Sequence, residues 1–238
     1  MKATALEFRL RFLILVIIYT LGFIAPWNFA LHFDTIRTWQ LLAAWAYRYA
    51  HLGFSAATVS VLMLAIFFAL AAAALRTWAS AYIGAAIVQD SSMHGEQVVA
   101  AGPYRYLRNP LYLGTFIHTL ALALLMPPTG AIFTILAIGF FQLRLIAAEE
   151  VFLANKIGEP YRAYCTSVPS LLPTFKSQLA ASPTHPAWLN AILGEIYMWG
   201  VAAAFIITGP RYNAILIIQG IVIALGVSLI ARAFIPKR

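Results

Sequence analysis

Charge is what this chain has least of: 16 Lys and Arg with 8 Asp and Glu make up 10% of 238 residues, against roughly 25% in an ordinary soluble domain. So few charges cannot clothe the surface of a water-soluble globule of this size, and that class is excluded. The same scarcity excludes a disordered chain, which is rich in charge and poor in apolar residues. Cysteine is almost absent too. Cys165 stands alone, so no intrachain disulfide and no cysteine zinc cluster can form, and no metal site is expected. Basic runs are also missing: the net charge is +8, yet the Lys and Arg residues are scattered singly, which is not the footprint of a nucleic-acid binder. No internal repeat stands out. What fills the chain is apolar, with 62% hydrophobic residues and a mean hydropathy of +0.83. That composition predicts an all-α, polytopic integral membrane bundle forming a single membrane domain, residues 1–238.

Charge-free windows locate the spans, since a helix crosses the hydrocarbon core in about 20 residues. Phe12 to Phe33 and Gly53 to Leu75 are the first two. Leu111 to Leu143 is too long for one span and is broken by Pro127, Pro128, Thr129 and Gly130, which predicts a tight helical hairpin. Its first arm, ending at Met126, would be only about 24 Å long, so it should begin upstream near Pro110 or sit in a locally thinned site. Two more spans run from about Leu189 to Thr208, enclosing Glu195, and from Tyr212 to Ala231. Trp39 to Tyr49, short and carrying Arg48, reads as interfacial or re-entrant. The expectation is about six transmembrane helices plus interfacial or re-entrant ones. With the N-terminus cytoplasmic, thirteen of the 16 basic residues fall on that side and only Arg37, Arg48 and Arg211 on the other, as the positive-inside rule requires. The termini and the polar connections 76–110 and 144–188 then share the cytoplasmic face. Residues 1–75 read as N-terminal spans, 76–175 as a catalytic core and 176–238 as a C-terminal helical hairpin.

Polar groups are costly at membrane depth, so their clustering is informative. One cluster is Gly102-Pro103-Tyr104-Arg105-Tyr106-Leu107-Arg108-Asn109-Pro110-Leu111-Tyr112-Leu113-Gly114. Its prolines and glycines hold the backbone out of regular helix, which lipid tolerates only where the chain is buried in protein or lines a polar cavity. The other is Glu149-Glu150, followed by Val151 to Tyr164. This segment reads either as an amphipathic interfacial helix ending at Gly158 with one acid turned inward, or as a solvated helix start where acids favour the dipole. Adjacent helical acids lie about 100° apart, so one ligand atom cannot meet both. A carboxylate suits a ligand's cation, Arg, Asn or free backbone N–H its carboxylate, and aromatic or apolar faces its base; S-adenosylmethionine has all three groups, a match that the residues allow without selecting it.

These two motifs resemble the isoprenylcysteine carboxyl methyltransferase and phospholipid methyltransferase superfamily. Gly102-Pro103-Tyr104 through Arg108-Asn109-Pro110-Leu111-Tyr112-Leu113-Gly114 is similar to its G-x-Y-x-x-x-R-H-P-x-Y-x-G signature. Glu149-Glu150 with Leu153, Gly158, Tyr161, Tyr164, Val168 and Pro173 resembles the continuation. The resemblance covers about Leu75 to Pro173 and implies S-adenosylmethionine held at the cytoplasmic face. It implies cofactor contacts at Gln89, Gln97, Val98, Val99, Tyr104, Asn109, Pro110, Leu111 and Tyr112, and at Glu149 or Glu150 for the cofactor's amino group. Arg108 is implied to hold the loop or the cofactor carboxylate. Arg108, Glu150 and Arg144 are the candidates for the catalytic step. Three departures stand out: Asn109 replaces the usual His, Glu96 occupies a position where some members have another His, and Arg144 lies one or two residues before the arginine that certain members place ahead of the double acid. An amide copies one imidazole hydrogen bond but does not titrate near neutrality.

The implied reaction is in-line methyl transfer to a lipophilic acceptor: a prenylcysteine carboxylate, with phospholipid amine or small thiol as alternatives. It needs alignment and exclusion of water more than a nucleophilic residue. An amine acceptor would also need a base, for which His94, Glu96 or the spare member of the double acid qualify. Two other classes compete, a sterol-reductase-like NADPH enzyme and a noncatalytic membrane protein or small transporter; polar residues gathered on one face argue against the latter. His118 reads as a hydrogen-bonded core histidine, and Glu195 as either a functional intramembrane acid or a polar interhelical contact. His32, His51 and His185 fall near interfaces. His94-Gly95-Glu96 lacks the Cys pair of a zinc deaminase.

Overall fold

The computed structural model describes residues 2–24, 36–84, 87–88, 98–177, 179, 185–231 and 234, and all regular structure among them is helical. A short N-terminal helix α1 (Ala5–Arg9) leads into α2 (Arg11–Ile24); α3 (Thr38–Tyr49) and the long α4 (Phe54–Ile83) follow. After a single 3-10 turn, Gly102–Arg105, come α5 (Pro110–Ala123), α6 (Pro128–Ile157) and α7 (Glu159–Ser167). The chain closes with α8 (Trp188–Gly194), α9 (Ile196–Thr208), the turn Gly209–Arg211 and α10 (Ala214–Ala231).

Three helices, α4, α6 and α10, are long and apolar enough to cross a membrane, and α8 with α9 makes a fourth candidate span bent by 64°. Helices α2 and α5 are apolar but shorter. The bundle centres on α4, which packs against α5, α3, α8 and α9, while α6 packs against α2 and α5. Alanines at 65, 69, 72 and 73 of α4 are buried, allowing the close helix approach that small residues permit in lipid.

Several boundaries differ from the charge-free windows. Helix α4 runs eight residues past Leu75 because the charge on Arg76 meets a carboxylate inside the protein instead of ending the helix at an interface. The double acid does not begin a helix. Glu149 and Glu150 lie near the C-terminal end of the continuous 30-residue α6, so dipole stabilisation of acids at a helix start does not apply; partners on other elements hold them instead. That helix does end at Gly158, whose φ of 78° suits glycine. The hairpin turn at Pro127-Pro128 forms as expected, and α5 begins at Pro110. The last two windows become a helix pair broken at Glu195 and the single helix α10. Trp39 to Tyr49 lies in the regular helix α3. The first window is described as far as Ile24; its remainder, with His32, lies outside the described residues.

Candidate active site

The signature loop leaves the 3-10 turn and enters α5 at Pro110, a residue suited to the first helical position because it has no N–H to satisfy. Gly102 has φ 52°, and a Cβ there would collide with the Tyr82 ring, so both conformation and space require glycine. The loop is fastened to the chain beyond α7. Arg108 N–H donates to Pro169 O at 2.9 Å, Asn109 N–H to Ser170 O at 3.2 Å, and Thr174 N–H to Tyr106 O at 3.0 Å. Tyr164 Oη donates to Tyr104 O at 2.7 Å.

Arg108 spends its whole guanidinium on this junction. Nε and Nη2 donate to Glu150 at 3.0 and 3.3 Å, and Nη1 donates to the carbonyls of Cys165 and Val168, both at 2.7 Å. Burial opposes its charge, but the Glu150 hydrogen bonds and field outweigh that and raise its pKa. Glu150 is correspondingly saturated, since Oε1 also accepts from Asn109 Nδ2 and Ser170 Oγ, each at 3.0 Å. The Asn109 amide reaches Ser170 as well, at 3.2 Å to O and 3.1 Å to Oγ. Arg108, Asn109, Glu150 and Ser170 thus form one clamp joining the loop, α6 and the segment after α7. Ser170 was not among the residues singled out from sequence; it sits between the family-like Val168 and Pro173 with nothing in its own type to announce it.

Glu149 faces a different way. Its Oε2 accepts from Tyr112 Oη at 2.8 Å. Tyr104 is 6% exposed, and its buried Oη has no hydrogen-bond partner among the described residues. Burial and then the Glu149 charge drive the Tyr104 phenol well above its usual range, so it stays a neutral donor. A buried donor left unpaired is costly and marks a place where a ligand would complete the bonding. The two acids therefore have different partners, Glu150 in the clamp and Glu149 on Tyr112, with the Glu149 charge reaching the Tyr104 phenol.

Of the remaining expected residues, Pro110 is fully buried and Leu111 partly so. Val98 packs beside Tyr161, Tyr164 and Val168, and Val99 is half-buried. Gln89, Gln97, His94 and Glu96 lie outside the described residues. Arg144 is brought elsewhere: its Nη2 donates to both Glu7 oxygens, at 2.8 and 2.7 Å, tying α6 to the N-terminal helix. Glu195 is 3% exposed and paired with Arg76. His118 is 2% exposed, and neither ring nitrogen has a hydrogen-bond partner among the described residues, contrary to the expected hydrogen-bonded core histidine. Among the described residues no group of three or more potential metal ligands occurs.

Residues 61–155 match the model of the isoprenylcysteine carboxyl methyltransferase (ICMT) family. Protein-S-isoprenylcysteine O-methyltransferase of Schizosaccharomyces pombe is 33% identical over 89 residues, 37% of each chain. The chain thus spans little more than a third of the length of that curated relative. No solved structure matches. The matched stretch contains the signature loop, the hairpin α5–α6 and both acids; Ser170 and Glu195 lie beyond it.

Proposed function

We propose that this chain, whose residues 61–155 match the model of the isoprenylcysteine carboxyl methyltransferase family, is an S-adenosylmethionine-dependent membrane methyltransferase acting on a lipophilic acceptor, an isoprenylcysteine carboxylate above all. The observation that carries the reading is the buried Tyr104 hydroxyl, without a hydrogen-bond partner among the described residues and within the field of the Glu149 carboxylate. Such a pair fits a ligand that carries both a hydrogen-bond acceptor and a cation, as S-adenosylmethionine does. Bound there, S-adenosylmethionine supplies a methyl group on a sulfonium, an electrophile needing no activation by the protein.

The residues supply position and dryness. Glu149 takes the cofactor's ammonium, held in place by Tyr112. Tyr104 donates to a cofactor oxygen or nitrogen. The clamp of Arg108, Asn109, Glu150 and Ser170 keeps the loop in register, so Arg108 and Glu150 act as positioning residues. Val98, Val99, Pro110 and Leu111 complete the cofactor wall. A carboxylate acceptor arrives ionised and needs no base, which agrees with Asn109 in place of a titrating His. Helices α2 and α5, about 21 Å long at 1.5 Å per residue, serve with the four longer candidates as six spans. The positive-inside count orients the termini and this site to the cytoplasm. Residues 76–175 form the catalytic part, flanked by the N-terminal spans and the C-terminal hairpin.

Equilibrium binding of labelled S-adenosylmethionine to the purified protein tests this. We expect saturable binding, weakened about tenfold or more by Glu149→Gln through loss of a charged hydrogen bond and severalfold by Tyr104→Phe. Methyl label should pass to N-acetyl-S-farnesylcysteine in preference to phospholipid or a volatile thiol. Absence of saturable binding by the wild type overturns the reading, and label appearing only in phospholipid or thiol changes the acceptor.

A further inference from the structure

The matched family stretch ends before the last helices, yet those helices reach the site through a buried ion pair. Arg76 on α4 donates from Nε to Glu195 Oε2 at 2.7 Å and from Nη2 to Oε1 at 2.9 Å. Ser80 Oγ adds a third bond to the same carboxylate at 2.7 Å. Glu195 stands at the break between α8 and α9, where the 64° bend interrupts the regular helix. Two further links hold the same helices to α4: Ala187 N–H to Ala81 O at 2.8 Å, and Trp199 Nε1–H to Thr77 Oγ1 at 2.9 Å.

Arg76 does not stop at Glu195. Its remaining nitrogen, Nη1, donates to Leu111 O at 3.2 Å and Thr115 Oγ1 at 2.8 Å, in the first turns of α5. The stem of Arg76 crosses directly over Gly114, where a Cβ would lie 2.5 Å from Arg76 Cγ. The last glycine of the signature therefore has a local cause: it makes room for this arginine. Leu111 adjoins Tyr112, the residue that holds Glu149. A planar guanidinium fixed on one edge by a bidentate carboxylate has little freedom left to rotate its other edge. The orientation of α5's first turn is set in this way from outside the family-like core.

We infer that Glu195 is a positioning residue for methyl transfer: through Arg76 it holds the start of α5 so that Tyr112 keeps Glu149 aimed at the cofactor. The C-terminal helices are in this respect part of the active-site support. The inference rests on the proposed function, since it assigns Glu149 to the cofactor. It concerns a residue that touches neither cofactor nor acceptor, and its signature is energetic coupling to Tyr112.

The experiment measures the S-adenosylmethionine dissociation constant of full-length wild type, Glu195→Gln, Tyr112→Phe and the double variant, alongside thermal unfolding of each. The glutamine keeps shape and one acceptor for Arg76, so the fold survives. Each single variant should weaken binding about five- to tenfold, and the double variant should be no weaker than Tyr112→Phe alone, because neighbouring residues acting through one path are not additive. Ser80→Ala, which removes one bond to Glu195 without touching Arg76, should weaken binding less than Glu195→Gln. A merely structural Glu195 would lower the unfolding temperature while leaving the dissociation constant unchanged, or would multiply with Tyr112→Phe; either result overturns the inference and leaves the proposed function standing. Wild type that fails to bind S-adenosylmethionine overturns both.

Discussion

His118 shows how a single side chain can be tested against its surroundings. The ring is sealed between Tyr19, 6.4 Å away edge-on, and Tyr197, 5.4 Å away, and neither nitrogen finds a partner. The adjacent Thr119 hydroxyl is taken by Tyr19 at 2.7 Å. Leaving a buried imidazole N–H unpaired costs about 1–3 kcal/mol, whereas an apolar group of similar shape costs nothing of that kind. His118→Leu should therefore leave thermal stability unchanged or raise it, read as the unfolding temperature in detergent. A loss of about 2 kcal/mol or more would mean that the ring has a polar partner in the membrane-embedded protein. Arg108 is the opposite case, with every donor nitrogen of its guanidinium engaged, and the sequence already pointed to it. Its position in the signature was legible; its commitment to Glu150 and to the Cys165 and Val168 carbonyls was not, because those partners lie 42 to 60 residues away.

At the scale of elements, helix α1 is fastened by an arrangement half local and half distant. Thr4 and Glu7 form a capping box, legible as a threonine followed three residues later by a glutamate. Ala3 N–H donates to Arg144 O at 3.0 Å, Arg144 pairs with Glu7, and Phe8 packs with Phe141 and Leu145. The family resemblance made Arg144 a candidate for the catalytic step, and its guanidinium pairs with Glu7 on α1. Spacing along a helix gives the direction of a side chain and not the identity of what an N-terminal helix brings to it. The Glu7 carboxyl is held below its ordinary value of 4.5 by the Thr4 backbone N–H first and by Arg144 second. A depressed carboxyl stabilises the docked helix fully above its unfolded value and loses that contribution as pH falls through the lowered one. Amide protection factors of residues 3–9, corrected for the intrinsic exchange rate at each pH, should thus fall only below about pH 4.5. Glu7→Gln should give lower protection at neutral pH with little further change on acidification; an unchanged pH profile in that variant would detach the effect from Glu7.

The whole molecule is held by polar junctions linking segments far apart in sequence: Glu7 with Arg144, Arg76 with Glu195, and the Arg108 clamp. Scarcity of charge identified the class of fold, and charge-free windows with the Pro127-Pro128 break identified most of the helices. They could not show that charges such as Arg76 lie inside helices, because a window treats an ion as a boundary whether or not it has a partner. Glu195 was visible as an embedded acid, but its partners Arg76 and Ser80, 119 and 115 residues away, were not. The C-terminal helices contribute more than one ion pair. Gly200 and Gly220 let α9 and α10 meet closely, with a Cβ at Gly220 falling 2.8 Å from the Ala204 Cβ. Helices α8 and α9 cover α4, and Val201 and Phe205 of α9 join the apolar core. A chain ending at residue 184 would uncover that face and strand the Arg76 charge, and removing one partner of a buried pair typically costs about 3–5 kcal/mol. That is a large share of the stability of an ordinary domain. The truncated chain is expected to insert but to aggregate on extraction into detergent. Arg76→Met in the truncated chain should restore only part of the yield, because it removes the stranded charge but leaves the apolar face uncovered and takes the Leu111 and Thr115 bonds with it. Size-exclusion profiles of the three chains give the comparison. A truncated chain as monodisperse and heat-resistant as the full one would make the last helices an independent appendage.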